Sequence, residues 1–180
     1  MSKQPRITVI GIGNPIMTDD AVGLAILRRL QGGEEDELAW VPSRSFTPML
    51  DDAPQENPQA AKVEFVDGGT SGMELLPLIQ DAQNLLILDA LAGPGKVGDV
   101  VTLVGDQIPR LLNSKLSPHQ VGLLDLLSAA RLLGREPQRV GVVGIVVADT
   151  DLNVGMSPSV AAAIPEAVVA AETLIEQWLG

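Results

Sequence analysis

The sequence predicts an α/β fold: a single three-layer domain whose twisted, mostly parallel five-stranded sheet carries helices on both faces. Three observations lead there. Short apolar runs alternate along the chain with segments whose apolar residues recur at helical spacing. Hydrophobic residues make up 46% of the chain and charged ones 19%, a globular balance. Aromatics amount to only 2%, so the core has to be built from Leu, Val, Ile and Ala, which suits aliphatic strands buried under helices. At 180 residues the chain fits one domain, 1–180, and is long enough to bury a core.

The elements follow in order. Ile7–Gly11 reads as a buried first strand. Thr18 or Asp19 can cap a helix in which Val22, Ile26 and Leu30 share one face, and Gly32-Gly33 ends it. From Glu34 to Ala61 the pattern weakens. Pro42, Pro48, Pro54 and Pro58 mark an irregular, Pro-rich excursion centred on about 41–61, not a domain boundary, because neither side could bury a core alone. Val63–Val66 is a short strand ending at Asp67-Gly68-Gly69-Thr70, with a helix over Met73–Asp81. Asn84–Leu88 is a strand with the apolar run Leu85-Leu86-Ile87-Leu88, and it ends at Asp89. Asp99–Val104 is a strand joined by too short a connection for a helical crossover, which makes it the candidate antiparallel member. Ser117-Pro118-His119-Gln120 opens a helix with a capping serine, a proline at the first helical position and glutamine three after the cap. That helix runs to about Leu133 and stops at Gly134, and Val140–Val147 is a further buried strand. Ser157-Pro158 starts the last helical region, which Pro165 is expected to kink or divide.

Composition excludes several functions. Acidic residues number 23 against 12 basic ones, a net charge of −11, so neither a phosphate backbone nor an anionic membrane surface is an expected partner. Cysteine is absent, which removes disulfides, thiolate ligands and a cysteine nucleophile together. No secretory signal is visible, and no run approaches the roughly 20 apolar residues of a membrane helix. The expectation is a soluble cytoplasmic protein without membrane insertion.

Gly11-Ile12-Gly13 invites a dinucleotide-binding reading, since it follows a strand and precedes a helix. However, Ile16 stands where a third glycine is required, Pro15 removes a backbone donor, and Asp19 and Asp20 occupy the place of a pyrophosphate. The same loop serves better as a presenter of carboxylates, although two Asp at a helix start commonly do no more than cap it. Asp89 and Asp67 end other strands on the same edge, outside which ligands of open α/β sheets bind; a strand-end Asp often merely starts a turn. His119 is the only histidine. At the start of a capped helix the dipole disfavours imidazolium, leaving a neutral ring that can ligate metal or act as a base. Neutral imidazole with two carboxylates suits a divalent transition metal with open positions. A serine hydrolase competes weakly: Gly69-Thr70-Ser71-Gly72-Met73 lacks the second glycine of a nucleophile elbow.

At these residues the chain resembles the hydrogenase maturation endopeptidases. The resemblance rests on Gly11-Ile12-Gly13-Asn14 through Asp19-Asp20 and Gly23, on Asp67-Gly68-Gly69-Thr70-Ser71-Gly72-Met73-Glu74-Leu75, on Leu86-Ile87-Leu88-Asp89-Ala90, and on Ser117-Pro118-His119-Gln120. Four blocks in order span nearly the whole chain; Pro15, Ile16 and the long stretch Val41–Ala61 depart from the pattern. The resemblance implies a twisted, mostly parallel sheet. It implies a protease that removes the C-terminal extension of a nickel–iron hydrogenase large-subunit precursor after nickel insertion. It also implies Asp20, Asp89 and His119 as the metal-contacting and catalytic set. Asp67, Gly68, Gly69 and Thr70 are expected to order the site or bind substrate backbone. No resident cofactor is expected: nickel arrives with the substrate, and another divalent metal could take its place in vitro. The alternative function is a non-catalytic nickel-checking or chaperone module with the same ligands. A monomer is expected.

Overall fold

The computed structural model describes residues 6–14, 19–32, 63–69, 72–93, 95–108, 118–148 and 156–180, with the side chains of 118–123 left out. The expected excursion at about 41–61, the alternative helix cap Thr18, Thr70, Ser71 and the capping Ser117 lie outside the described residues.

Among the described residues five strands form one sheet: β1 (Ile7–Ile12), β2 (Val63–Gly69), β3 (Asn84–Leu91), β4 (Val100–Val104) and β5 (Arg139–Val146). Their spatial order is β2-β1-β3-β5-β4. All neighbours are parallel except β4, which runs antiparallel to β5, as the short connection before it required. Among the described residues four α-helices cover the sheet: α1 (Val22–Leu30), α2 (Leu76–Asp81), α3 (Pro118–Leu132) and α4 (Pro158–Leu179). Three-residue 3-10 turns, Asp19–Ala21 and Met73–Leu75, lead into α1 and α2.

β1 and β3 are buried along their whole length because both faces are covered, which explains why they read as continuous apolar runs. Strand alternation sorts their side chains into two cores. Ile7, Val9, Leu86 and Leu88 pack with α1 and α4, whereas Ile10, Ile12, Leu85, Ile87 and Leu91 pack with α2, Leu126 and Ala130 of α3. The edge strand β4 buries only Leu103 deeply.

The structure changes several expected boundaries. β3 continues past Asp89 to Leu91, so Asp89 lies inside a strand that pairs with β5 as far as Leu91 and Val146. β2 likewise runs on through Asp67 to Gly69. Pro165 does not divide the last helix, which is continuous from Pro158 to Leu179. Both Pro165 and Ala161, whose carbonyl loses its helical donor there, face solvent, where water can supply the missing bond. At 22 residues, with a mean hydropathy of 1.4 over its apolar window, α4 is long and apolar enough by length and composition to cross a membrane, although Glu166, Glu172 and Glu176 interrupt it. Its apolar stripe, from Val160 and Ile164 to Ile175 and Trp178, packs into the core under α1 and the sheet, with Glu166, Glu172 and Glu176 on the exposed side.

Candidate functional site: two buried carboxylates at the switch point of the sheet

Strand order decides where a site can form. From β1 the chain goes to β2 on one side, then crosses to β3 on the other. The C-terminal ends of β1 and β3 therefore diverge into connections leading to opposite sides, and the crevice between them is the usual ligand position in open α/β sheets. Asp20 follows β1 and Asp89 lies near the end of β3, one on each side of this crevice.

Asp20 sits in the 3-10 turn before α1 and is 3% exposed. Its Oδ2 accepts the N–H of Asn14 at 3.1 Å. The loop can fold back this tightly because Gly13 adopts φ 152° and has no side chain: a Cβ there would run into the Asp20 carbonyl oxygen. The Gly13 N–H in turn donates to the Gly69 carbonyl at 2.9 Å, tying the loop to the end of β2. Gly23 sets the height of α1. A Cβ at Gly23 would meet the carbonyl oxygens of both Ile12 and Leu88, so the first turn of α1 rests on the backbones of β1 and β3 together. The turn carrying Asp20 is thereby held over the residue adjacent to Asp89.

Asp89 is 2% exposed, and its Oδ1 accepts the N–H of Ala90 at 2.8 Å. Burial pushes its carboxyl well above the usual carboxylate range. The Ala90 N–H opposes this, and the charge of Asp20 adds to the rise. The two carboxylates are thus close enough to repel. By alternation Asp89 shares the face of Leu85, Ile87 and Leu91, the face covered by α3. Since α3 leads into the start of β5, parallel to β3, its own first turn lies toward the C-terminal edge of the sheet. His119 is in that first turn, and its side chain lies outside the described residues.

Asp67 is placed differently. Its register partner is Gly11, which puts it on the α1 face of the sheet and across the pleat from Asp89. Exposed on the edge strand, its Oδ1 accepts the Gly69 N–H at 3.0 Å and shapes the turn. Gly68 is buried where a Cβ would press on Ile10, and Gly69 takes φ 49°. Among the described residues no three His, Cys, Asp or Glu side chains gather as a metal-binding group. Two buried carboxylates are donors of the kind that could hold a divalent metal ion. They are unsuited to a phosphate, which the buried Asp19 and Asp20 would repel.

Sequence reasoning missed two features. Asp19 caps no part of α1: the N-cap position there is Ala21, without a side-chain bond, and Asp19 instead binds Ser157 at the start of α4. The seat of Gly23 has no signature in the motif that contains it; only its contact with two strands shows what it does.

Comparison with known proteins agrees with this architecture. A family model described as HycI, hydrogenase maturation protease, matches residues 52–174. The hydrogenase 2 maturation protease of Escherichia coli (strain K12) is 34% identical over 164 residues, covering 91% of this chain and 86% of that relative. The HupD hydrogenase expression/formation protein of Rhodobacter capsulatus is 29% identical, covering 98% of this chain and 74% of its own. Among solved structures, the hydrogenase maturating endopeptidase HybD from E. coli superposes with a TM-score of 0.74 at 31% identity, over 96% of this chain and 93% of that one. The [NiFe] hydrogenase maturation protease HybD from Thermococcus kodakarensis gives 0.66 at 25% identity, over 94% and 98%.

Proposed function

Because the chain belongs to the hydrogenase maturation protease family, and so is an endopeptidase, we propose that it cuts the C-terminal extension from a nickel–iron hydrogenase large-subunit precursor once nickel is in place. The observation that supports this is the buried pair Asp20 and Asp89. Burying two acidic groups against each other is unfavourable, and the raised pKa of Asp89 expresses that cost. A divalent cation presented by the substrate relieves it. Nickel is here part of the substrate, and the protein carries no resident cofactor.

In this reading Asp20, Asp89 and His119 accept the precursor's nickel, and docking fixes the scissile peptide beside the rim. Asp89 gives up its proton as the cation arrives, so docking weakens as pH falls. A water attacks the peptide carbonyl carbon, the C–N bond breaks, and the departing amine takes up a proton. The substrate's nickel supplies the polarisation, acting as a Lewis acid. The carboxylates then serve as ligands, which makes an aspartyl-type mechanism, with a carboxylate as base, the second route to test. Asp67, Gly68 and Gly69 form the neighbouring edge against which substrate backbone lies, and Thr70, next in sequence, is assigned the same role. The reaction takes place in the cytoplasm.

The test is to incubate substoichiometric protein with nickel-loaded and nickel-free precursor and follow the shortening of the large subunit. Cleavage of the loaded form alone is expected, lost in His119→Ala with folding intact. Equal cleavage of the nickel-free form would overturn nickel recognition, and full activity of His119→Ala would overturn the site.

A further inference from the structure

Asp19 is buried, 6% exposed, and both of its carboxylate oxygens are engaged by one residue far along the chain. The Ser157 N–H donates to Oδ1 at 2.7 Å, and the Ser157 hydroxyl donates to Oδ2 at 2.9 Å. Ser157 is the N-cap of α4, in extended backbone, and its hydroxyl makes no capping bond to its own helix. Asp19 therefore places a carboxylate at the positive end of a 22-residue helix, a favourable position for a negative charge. Held through two short bonds, its side chain has little freedom.

We infer that Asp19 is a positioning residue: by clamping the Asp20 turn to the start of α4 through Ser157, it sets where Asp20 stands relative to Asp89. The turn Asp19–Ala21 has only three residues. A 3-10 turn of that length, with its poorer hydrogen-bond geometry, does not fix its own orientation. Successive side chains in it diverge by a third of a turn, so Asp19 can reach α4 while Asp20 faces Asp89. Among the described residues the turn is also held by the Asn14 N–H on Asp20 and by the seat of Gly23 on the two strands. The core helix α4 adds a rigid third point. This inference rests on the reading of Asp20 as a metal-docking group.

The test compares Asp19→Ala with Asp19→Asn, whose side-chain oxygen and amide can still meet the Ser157 N–H and hydroxyl. Two readouts are needed, taken where circular dichroism shows each variant folded. The first is hydrogen exchange of the Asn14 amide, which reports whether Asp20 stays in place. It should rise at least about ten-fold in Asp19→Ala and stay near wild type in Asp19→Asn. The second is affinity for free Ni2+ by calorimetry, together with cleavage of nickel-loaded precursor. Supporting groups behind metal ligands are commonly worth about 10–100-fold, and a loss of that size is expected in Asp19→Ala alone. Should Asp19→Ala fail to fold, Ser157→Ala removes only the hydroxyl bond and should show the same changes at smaller amplitude. Unchanged Asn14 protection in the alanine variants, or Asp19→Asn as impaired as Asp19→Ala, overturns the inference. Ni2+ affinity untouched by Asp20→Asn overturns the metal reading instead, and the exchange measurement still decides the role of Asp19.

Discussion

Replacing Gly23 by alanine tests how the site is held. A Cβ on Gly23 would lie 2.9 Å from the Leu88 carbonyl carbon, and nearer still to the carbonyl oxygens of Leu88 and Ile12. Ordinary van der Waals contact begins at 3.4 Å, so the first turn of α1 has to lift by at least about 0.5 Å. The obstructing atoms are backbone of β1 and β3, strands buried along their whole length and paired in register from Ile7 with Asn84 to Gly11 with Leu88, so they cannot give way cheaply. Overpacking a core typically costs about 1–3 kcal/mol, and with obstruction on two strands the upper end applies. For a chain of this length a loss of about 3 kcal/mol lowers Tm by roughly 6–12 °C. Thermal and urea unfolding followed by circular dichroism measure it, with Val169→Ala as the control: Val169 is 60% exposed, and its loss should stay within about 0.5 kcal/mol. Because Asp20 is three residues before Gly23, the folded fraction of Gly23→Ala should also bind Ni2+ more weakly. A Gly23→Ala protein with wild-type Tm would refute the claim that α1 is seated on these two carbonyls.

Asp89→Asn should stabilise the protein at about pH 7 while abolishing cleavage. The Asn oxygen can still accept the Ala90 N–H, and both the burial of charge and the repulsion from Asp20 disappear. The sign follows from the raised pKa: the native chain keeps a proton that the unfolded chain has released. Stability linked to Asp89 is therefore fully present below the ordinary value of 3.8 and is lost as pH rises through the raised value. Urea unfolding across that window should show wild type declining relative to Asp89→Asn; parallel curves would contradict the buried pair. Trp178→Ala should cost about 3–5 kcal/mol, a large part of a domain's total stability. The ring is 6% exposed, and it lies so close to Gly141 that a Cβ there would come within 3.1–3.2 Å of it. Unfolding at unchanged denaturant concentration would contradict that packing.

Much of this was legible in the residues, for reasons that are local. Apolar runs and helical spacing report which faces a segment buries, so β1, β3, β5, α1 and α4 were all readable, as was the antiparallel β4 from the shortness of its connection. The sequence also singles out Asp20, Asp89 and His119 as candidates, although β3 runs past Asp89 to Leu91. Tertiary structure alone decided what meets what. Strand order depends on pairings between distant segments, and no periodicity encodes that β1 lies between β2 and β3, which makes the ends of β1 and β3 a crevice. The repulsion between Asp20 and Asp89 needs α1 seated by Gly23 on two strands at once. By sequence Asp19 is, with Thr18, a candidate cap of the helix beside it, because a cap is recognised by its neighbours. Its carboxylate instead binds Ser157, 138 residues away, since burial in the folded chain offered two donors there that the local turn did not.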